Sequence, residues 1–317
     1  MWWNNSLDLS DNPLEEKFVR ACISEFIGTN EPIGILMTKN SVTLPSRARV
    51  AGLRAKTARV RLEHCEFCTH RCGVDRSKKA AGQCHAGPKA RVFLAQTEVS
   101  DELLFIPTFS IALSGCNLRC AFCITAKESW NSRAGKFVEP KTLAQDAVEA
   151  LERGARSIMV LGGEPTLHLP DIFDFIAALP DEAKLIWKTN AYISPQGREL
   201  LDGLFDTWIV DYKFGNDACA ERLARVSNYI DTVRENLIWA STRTELVVRH
   251  LLMPGHVHCW WEPVARWVAE NLPGVKVNLR AGFWPMWKSN KYPELMKPAE
   301  ENSGLEIARD YHLNLIE

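Results

Sequence analysis

Six short apolar runs, separated by amphipathic segments, dominate the chain from residue 108 onward. The runs are Thr108–Leu113, Ser157–Leu161, Lys184–Trp187, Trp208–Val210, Glu245–Leu252 and Val275–Leu279. Continuous apolar runs of this length are typical of parallel strands that are buried on both faces. Six βα units predict an α/β fold, a partial (β/α)6 TIM-like barrel that stays open. Ligands bind at the carboxyl ends of such strands, so the residues after each run are candidate site residues.

The segments between the runs have helical character. Thr142-Leu143-Ala144-Gln145 fits a capping box at the start of a helix, and Gly154 marks the end of that helix. Further helices are predicted at Leu14–Phe26, Asp171–Ala178, Pro195–Leu201, Ala218–Trp239 (with a possible break) and Trp261–Asn271. The segment 39–61 is basic and has no acidic residue. It is either a docking surface for an acidic partner or a solvated helix face.

Composition narrows the class of protein. A hydrophobic content of 46% and a charged content of 24% are ordinary for a soluble globular protein. The formal net charge of −1 gives no reason to expect nucleic acid or an anionic membrane as a partner. The first residues do not form a secretory signal, and the uncharged run Leu103–Leu118 is too short to span a membrane. We therefore expect a cytoplasmic protein without membrane contact.

Ten cysteines are many for a cytosolic chain, and seven of them form two tight groups. Without a secretory signal, metal or cluster ligation is favoured over a disulfide framework. The isolated Cys22, Cys219 and Cys259 are predicted to be small buried hydrophobic residues.

Cys116, Cys120 and Cys123 directly follow the first apolar run at C-x3-C-x2-C spacing. Three thiolates at this spacing can hold three irons of a cubic 4Fe–4S cluster and leave the fourth iron without a protein ligand, whereas ferredoxins supply four cysteines. The alternatives are a chance grouping and zinc, but zinc sites close with four ligands. The spacing therefore favours a cluster that binds substrate at its open iron.

The other strand ends also carry polar residues and glycines. These segments are Gly162-Gly163-Glu164-Pro165-Thr166, Lys188-Thr189-Asn190, Asp211-Tyr212-Lys213 and Arg249-His250. Two glycines let the backbone approach a ligand closely, and carbonyl groups with the Glu164 carboxylate can accept hydrogen bonds from an ammonium group. The alternatives are an ordinary βα turn at 162–166 and a structural ion pair between Asp211 and Lys213 or Arg249.

These motifs resemble those of the radical S-adenosylmethionine (SAM) enzymes. Longer stretches at 65–76, 162–166, 211–220 and 249–256 resemble the pyruvate formate-lyase activating enzyme-like members that have an additional N-terminal four-cysteine region. By resemblance, the residues that contact SAM are Phe122 at the adenine, Gly162, Gly163 and Glu164 at the amino group, and Asn190, Asp211, Lys213 and Arg249 at the ribose and carboxylate.

The resemblance also implies the activity. Such an enzyme uses one electron to cleave SAM reductively to methionine and a 5′-deoxyadenosyl radical, which abstracts hydrogen from an unreactive carbon. The expected partner is a reductant such as flavodoxin or ferredoxin. A non-catalytic iron–sulfur electron carrier is the alternative from another class of protein.

One position departs from the family pattern. Where activating enzymes have an acidic residue that helps to hold a monovalent metal, this chain has Lys188. We predict that the Lys188 ammonium replaces the metal, pairs with Asp211 and the SAM carboxylate, and makes activity indifferent to sodium or potassium. Lys188, His168 and His250 are candidate catalytic residues, none of them assigned, and a structural role is the alternative for both histidines.

Cys65, Cys68, Cys72 and Cys84 form the second group, with spacings of two, three and eleven residues. Four ligands make a closed site, which is structural or passes electrons. A second 4Fe–4S cluster and zinc are both feasible, and the cluster is preferred because the core needs an electron supply. Four unligated thiols are the remaining alternative.

We expect three regions, a helical and cysteine-rich region at 1–100, a radical SAM core at 101–285 and a C-terminal extension at 286–317. The span 254–300 is rich in tryptophan, at Trp260, Trp261, Trp267, Trp284 and Trp287. These side chains either anchor a peptide or partner protein or form a cap that packs on the barrel. They favour a protein or peptide substrate over a small molecule or cofactor precursor, without pointing to a glycyl-radical enzyme as the target.

Overall fold

A computed structural model of the protein describes residues 37–38, 41–42, 45–100, 102, 104–283 and 294–316. The predicted helix Leu14–Phe26, together with Cys22, Trp284 and Trp287, lies outside the described residues.

The strands form one open sheet and one small hairpin. Their bounds are β1 Met37–Thr38, β2 Ser41–Val42, β3 Val92–Glu98, β4 Thr108–Leu113, β5 Ser157–Gly162, β6 Leu185–Thr189, β7 Thr207–Asp211, β8 Glu245–Leu251, β9 Lys276–Arg280 and β10 Asn314–Ile316. The hairpin is β1 with β2, and the sheet has the order β10-β9-β8-β7-β6-β5-β4-β3. Every neighbouring pair from β4 to β10 is parallel, and β3 is antiparallel to β4. The six predicted strands are β4 to β9, so the predicted α/β fold of an open, barrel-like sheet is confirmed.

Helices connect the parallel strands. Their bounds are Arg47–Arg61, Ala126–Ser129, Pro140–Glu152, Leu169–Ile176, Pro195–Glu199, Asp217–Ala224, Tyr229–Ser241, Glu262–Asn271 and Pro298–Asp310, with single turns at Leu62–His64, Pro165–His168 and Val257–Trp261. The predicted helix Ala218–Trp239 is two helices, because Arg225 and Asn228 adopt left-handed backbone angles between them. The predicted capping box at Thr142 is wrong. The helix begins earlier, at Pro140, whose fixed φ suits the first turn.

The inner face of the sheet has an apolar floor under a polar layer. Phe105, Met159, Ile186, Ile209 and Val247 pack together as one buried cluster. Side chains two positions apart on a strand point to the same face. The residues that follow this cluster on the same face are therefore Lys188 on β6, Asp211 on β7 and Arg249 on β8. The fold thus collects three charged side chains above an apolar floor, near the carboxyl ends of the strands.

The flanking regions contribute to the same sheet. Strand β3 precedes the predicted boundary at residue 100 and pairs with β4. Strand β10 belongs to the predicted C-terminal extension and pairs with β9. Among the described residues, no helix is long and apolar enough to cross a membrane.

The described part of the basic segment 39–61 has a solvated helix face, on which Arg49, Lys56 and Arg59 are exposed, and an opposite face that is buried. Its helix Arg47–Arg61 packs on the helix Leu169–Ile176. The buried Arg47 guanidinium donates to the carbonyl oxygen of Ala183 at 2.7 Å and pairs with Asp206 at 3.1 Å. The buried Arg54 donates to the carbonyl oxygens of Leu200 and Asp202, and burial lowers its pKa to about 10 against the opposing charge of Asp202. The guanidinium groups of Arg47 and Arg54 thus donate hydrogen bonds to backbone carbonyl oxygens inside the protein.

We expect Arg54→Ala to lower the free energy of unfolding by about 3 kcal/mol, because two carbonyl oxygens lose their donor inside the protein. Lys56→Ala, a change at an exposed position of the same helix, is the control and should cost less than about 0.5 kcal/mol. Anaerobic urea denaturation followed by circular dichroism measures both. Equal effects of the two substitutions would contradict the structural role of Arg54.

Candidate active site

The three cysteines of the C-x3-C-x2-C motif lie on the loop that follows β4. Cys116 and Cys120 are buried and Cys123 is half-buried. Burial raises the pKa of Cys120 to about 12, although the nearby Lys213 charge opposes the shift, and burial raises the pKa of Cys116 well above its ordinary value. Without a metal these two thiols are therefore protonated. Metal or cluster ligation needs thiolates, so binding there releases protons.

The spacing of the sulfur atoms distinguishes a cluster from a single ion. Tetrahedral zinc with Zn–S bonds of about 2.3 Å brings its cysteine sulfurs to about 3.8 Å from one another. Among the described residues, neither the three motif cysteines nor any three of the N-terminal four lie within 4.8 Å of one another. Wider spacing is what the corners of a multi-iron cluster require. The donors present at Cys116, Cys120 and Cys123 therefore fit the 4Fe–4S cluster that the motif predicts.

The Gly162-Gly163 turn packs directly on the cysteine loop. Gly163 N donates to Leu113 O at 2.8 Å, and Glu164 N donates to Gly115 O at 2.9 Å. A β-carbon on Gly162 would overlap the backbone of Leu113, and one on Gly163 would overlap the carbonyl oxygen of Gly115. The close approach that these glycines permit is thus between two backbone segments of the protein. This contact holds the start of the cysteine loop in place.

Glu164 ties the ends of β5 and β6 together. Its buried carboxylate accepts hydrogen bonds through Oε1 from the Thr166 amide at 3.1 Å and from the hydroxyl groups of Thr166 and Thr189, and through Oε2 from the Asn190 amide at 2.9 Å. Burial raises the pKa of Glu164, and these hydrogen bonds oppose the shift. A carboxylate has about four acceptor positions. Oε1 accepts three hydrogen bonds, whereas Oε2 keeps one position for the predicted ammonium group.

Asn190 is directed at the cysteine loop. Its Nδ2 donates to Asn117 Oδ1 at 2.9 Å and lies 3.7 Å from Cys116 Sγ, and its Oδ1 accepts from Tyr192 N at 2.9 Å. The predicted contact with the ribose would require some of these hydrogen bonds to break. In the structure, Asn190 positions Asn117 and Cys116.

Asp211, Lys213 and Arg249 form the ion pairs that were the structural alternative in the sequence analysis. Asp211 pairs with Lys213 at 2.8 Å and with Arg249 at 3.0 Å. Burial would raise the pKa of Asp211, but the charges of Lys213, Arg249 and Lys188 outweigh it and hold this pKa well below its ordinary value. Burial likewise would lower the pKa of Lys213, which Asp211 and Cys120 instead hold above its ordinary value. Lys213 is thus a fixed cation beside both Asp211 and the cysteine loop.

The predicted pairing of Lys188 with Asp211 and the SAM carboxylate stays a prediction, and the Lys188 charge already acts on Asp211. Among the described residues, the Lys188 ammonium pairs with the buried Glu102, at 2.7 Å, and Asp211 pairs with the two other cations. Glu102 also forms an ion pair with Arg249 at 2.8 Å and accepts a hydrogen bond from Asn278 at 3.0 Å.

Both candidate catalytic histidines have structural surroundings. His168 Nε2 lies 2.8 Å from Ser114 O, and His250 Nδ1 lies 2.6 Å from Tyr212 O. Burial, reinforced by the Arg76 charge, lowers the pKa of His168 to about 4. Burial also lowers the pKa of His250 to about 4. Both rings are neutral and donate to these carbonyls. Because His250 alternates with Arg249 on β8, it faces the helices and contacts Trp261 at 5.0 Å.

Aromatic side chains surround the predicted adenine contact. Phe122 is buried and packs on Phe214 at 5.8 Å and on Trp260 at 5.6 Å between ring centres. Trp260 and Trp261 are 1% and 0% exposed, so they belong to the cap that packs on the barrel and do not anchor a peptide as they stand. Trp267 lies at the edge of this cap, against Tyr212.

The four N-terminal cysteines line one cavity beside the cysteine loop. Cys65, Cys68 and Cys84 are buried and Cys72 is exposed. Burial raises the pKa of Cys68 to about 12, reinforced by its neighbours in the group. The buried guanidinium of Arg76 donates to Cys65 Sγ at 3.2 Å. Leu167 lines the same cavity and packs near Gly115, next to Cys116.

Sequence reasoning missed several residues of the site. Glu102, Asn117, Asn278 and Arg76 all contact predicted site residues. Asn278 had a weak signal, since it is a polar residue inside an apolar run. Glu102 lies in the connection between β3 and β4, where nothing in the sequence marks it as facing the barrel interior.

Comparison with known proteins identifies the family. The profile of the Radical SAM superfamily matches residues 110–268, half of the chain. Uncharacterized protein MJ0674 of Methanocaldococcus jannaschii is 30% identical over 278 residues, 83% of this chain and 80% of that protein. The chain therefore belongs to the radical SAM superfamily, whose members are enzymes that use a 4Fe–4S cluster and SAM.

Two further similarities are partial. The 7-carboxy-7-deazaguanine synthase of Methanothermobacter thermautotrophicus is 32% identical over 105 residues, 32% of this chain and 40% of that enzyme. The crystal structure of Streptococcus suis SuiB bound to S-adenosylmethionine has a TM-score of 0.52 and 18% identity, over 63% of this chain and 47% of SuiB. The chain thus matches about half of the length of SuiB, and this likeness concerns the fold alone.

We expect Gly163→Ala to displace the cysteine loop, because the new β-carbon would overlap the carbonyl oxygen of Gly115. The variant should lose about four iron atoms per chain after anaerobic reconstitution, the content of one cluster. Gly282→Ala is the matched control, because its β-carbon would meet open space. Iron and sulfide analysis measures the effect, with circular dichroism as the test of folding. A Gly163→Ala variant that keeps its full iron content would refute this role of the turn.

Proposed function

We propose that the protein is a radical SAM enzyme that cleaves SAM reductively at the Cys116, Cys120 and Cys123 cluster and abstracts hydrogen from a protein or peptide substrate. The observation that carries this proposal is the three-cysteine loop held against the Gly162-Gly163 turn, beside the fixed charges of Asp211, Lys213 and Arg249. When bound and reduced, the cluster supplies the electron that cleaves SAM.

The protein's own residues bind and orient SAM in this proposal. The free acceptor position of Glu164 Oε2 and the backbone of the Gly162-Gly163 turn receive the amino group. Lys213 and Arg249 attract the carboxylate, and Asp211 accepts from a ribose hydroxyl. All three charged groups are preorganised by their mutual ion pairs, so little reorganisation is needed on binding. Phe122 and Trp260 exclude water from the adenine side.

Lys188 has a second role in this proposal. Its ammonium lies inside the barrel and already lowers the pKa of Asp211 through its charge. A cation fixed by Glu102 next to the SAM carboxylate makes a monovalent metal unnecessary, so SAM cleavage should not depend on sodium or potassium.

The N-terminal four-cysteine group is proposed to hold a second 4Fe–4S cluster that passes electrons to the first. No three of its sulfurs lie within 4.8 Å of one another in the structure, which supports a cluster over one zinc ion, and Arg76 donates a charge-assisted hydrogen bond to Cys65. Contacts connect the two groups. His70 Nε2 lies 2.8 Å from Asn117 O, and Arg119 donates to Gln83 O at 3.0 Å. Gln83 precedes Cys84, and Arg119 precedes Cys120, so the Arg119–Gln83 hydrogen bond joins residues that neighbour a cysteine of each group. Flavodoxin or ferredoxin would supply the electron.

A peptide or protein substrate is favoured by two considerations. The fold neighbour SuiB has also been crystallised with its precursor peptide SuiA. The second is the tryptophan-rich span 254–300, which follows β8 along the chain and which the sequence analysis connects with such a substrate. A small molecule or cofactor precursor is the alternative, favoured by the local similarity to 7-carboxy-7-deazaguanine synthase.

Anaerobic incubation with SAM and dithionite should give 5′-deoxyadenosine, detected by chromatography and mass spectrometry. Cys120→Ala should abolish the product, because the cluster loses one of three ligands. Equal rates in sodium, potassium and choline salts are expected for the wild type. A wild-type protein with a full cluster but without 5′-deoxyadenosine would favour the electron carrier, and a marked need for sodium or potassium would refute the role of Lys188.

The second cluster gives a separate expectation. Wild-type protein should bind about eight iron atoms per chain, and the double variant Cys68→Ala/Cys72→Ala about four. The variant should still form 5′-deoxyadenosine with dithionite but lose most of its rate with a flavodoxin, because the relay is interrupted. Four iron atoms in the wild type, with zinc that disappears in this double variant, would show that the N-terminal site holds zinc.

A further inference from the structure

We propose that Cys219, His256 and Cys259 bind a single zinc ion at the rim of the barrel, with one coordination position left open. The two cysteines were predicted to be small buried hydrophobic residues, and the structure contradicts that prediction for Cys259, whereas Cys219 packs against the hydrophobic core. Cys219 is half-buried and Cys259 is exposed. Each follows a strand of the parallel sheet, Cys219 after β7 and Cys259 after β8, so both lie at the carboxyl edge of the sheet.

The donor atoms have the spacing of a single-ion site. The two Sγ atoms and an imidazole nitrogen all lie within 4.8 Å of one another, and His256 Nδ1 lies 3.2 Å from Cys259 Sγ. A tetrahedral zinc with ligand bonds of about 2.0–2.3 Å needs donor separations of about 3.5–3.8 Å. Among the described residues this is the one group of three or more cysteine, histidine or carboxylate donors that all lie within 4.8 Å of one another. The seven cysteines of the two other groups are spaced more widely, so the same chain separates two kinds of metal site.

One side chain fixes the backbone of both cysteines. Asn216 Oδ1 accepts from Cys219 N at 2.8 Å, and Asn216 Nδ2 donates to Cys259 O at 2.9 Å. The neighbouring Gly215 permits this contact, because a β-carbon there would overlap the carbonyl oxygen of Trp260 and lie 2.8 Å from that of Cys259. The site is thus built between two elements of the fold and does not depend on a chance meeting of surface side chains.

The third ligand is oriented by its neighbours. The His256 ring stacks on Trp260, with centroids 4.2 Å apart and planes at 22°, and Trp260 N donates to His256 O at 2.9 Å. The stacking and this hydrogen bond hold the ring in place beside Cys259.

Charge and donor type favour zinc. Two thiolates balance the two positive charges of the ion. Thiolate and imidazole ligands suit borderline-soft zinc rather than magnesium or calcium. Three protein ligands leave a fourth position for water or a substrate atom. Trp260 also contacts Phe122, so the ion would lie one aromatic ring away from the cysteine loop.

The test is the zinc content and affinity of the reconstituted protein that carries its iron–sulfur clusters. We expect one zinc per chain, held with a nanomolar or tighter Kd in competition with a chromophoric chelator, and an X-ray absorption spectrum fitted by two sulfur and one imidazole ligand. Cys219→Ser/Cys259→Ser should abolish this binding, and His256→Ala should weaken it at least tenfold.

His258→Ala is the control, because this exposed histidine pairs with Glu262 at 2.9 Å and is not one of the proposed ligands. It should bind zinc as the wild type does. Iron content shows that each variant is folded, and His256→Ala alone carries the test if the double variant loses iron. Zinc that survives the double substitution, no zinc in the wild type, or a Cys219–Cys259 disulfide found by mass spectrometry would each overturn the proposal. Because this site shares no ligand with the clusters, its failure leaves SAM cleavage unaffected.

Discussion

The contact between two backbone segments, Leu113–Cys116 and Gly162–Glu164, is the constraint on which the site depends. A cluster-binding loop has little secondary structure of its own, and it must nevertheless present buried thiols in a fixed arrangement. The loop obtains its position from the neighbouring strand, through the amides of Gly163 and Glu164. This contact is possible only where side chains are absent, since a β-carbon on either glycine would overlap the loop backbone. The Glu164 carboxylate also connects the turn to the end of β6, because it accepts hydrogen bonds from Thr189 and Asn190.

The second requirement is electrostatic. Charges above an apolar floor are costly unless they are paired and hydrogen-bonded. The barrel meets this requirement with Asp211 between Lys213 and Arg249, and with Glu102 between Lys188 and Arg249. The side chains that SAM would meet are thereby held in one geometry before it binds. Preorganised groups of this kind lower the cost of binding a zwitterionic ligand.

The fold was largely predictable, because fully buried parallel strands leave a strong signal of continuous apolar residues. The same topology gathers the strand ends at one edge, and so the positions of the cysteine loop, Glu164, Asp211 and Arg249 could be predicted as well. The direction in which a side chain points was harder to predict than the position of its residue. His250 faces the helices because it alternates with Arg249 along β8. Asn190 is directed at Asn117 because its Nδ2 donates a hydrogen bond to Asn117 Oδ1. Glu102 reaches the barrel interior from a connection, a long-range contact that no local pattern encodes.

The spacing of cysteine sulfurs was also hidden from the sequence, and it is what separates the metal sites of this chain. In the two dense cysteine groups the ligands follow one another along a loop, and the loop backbone spreads the sulfurs around a volume larger than one ion. Cys219 and Cys259 lie forty residues apart and come together only because Asn216 binds the backbone of both. In a site assembled from two elements of the fold, the distance between the ligand atoms is set by how closely the two elements pack. The proposed zinc site therefore depends on the packing of two elements of the fold, whereas the two dense cysteine groups depend on the course of single loops.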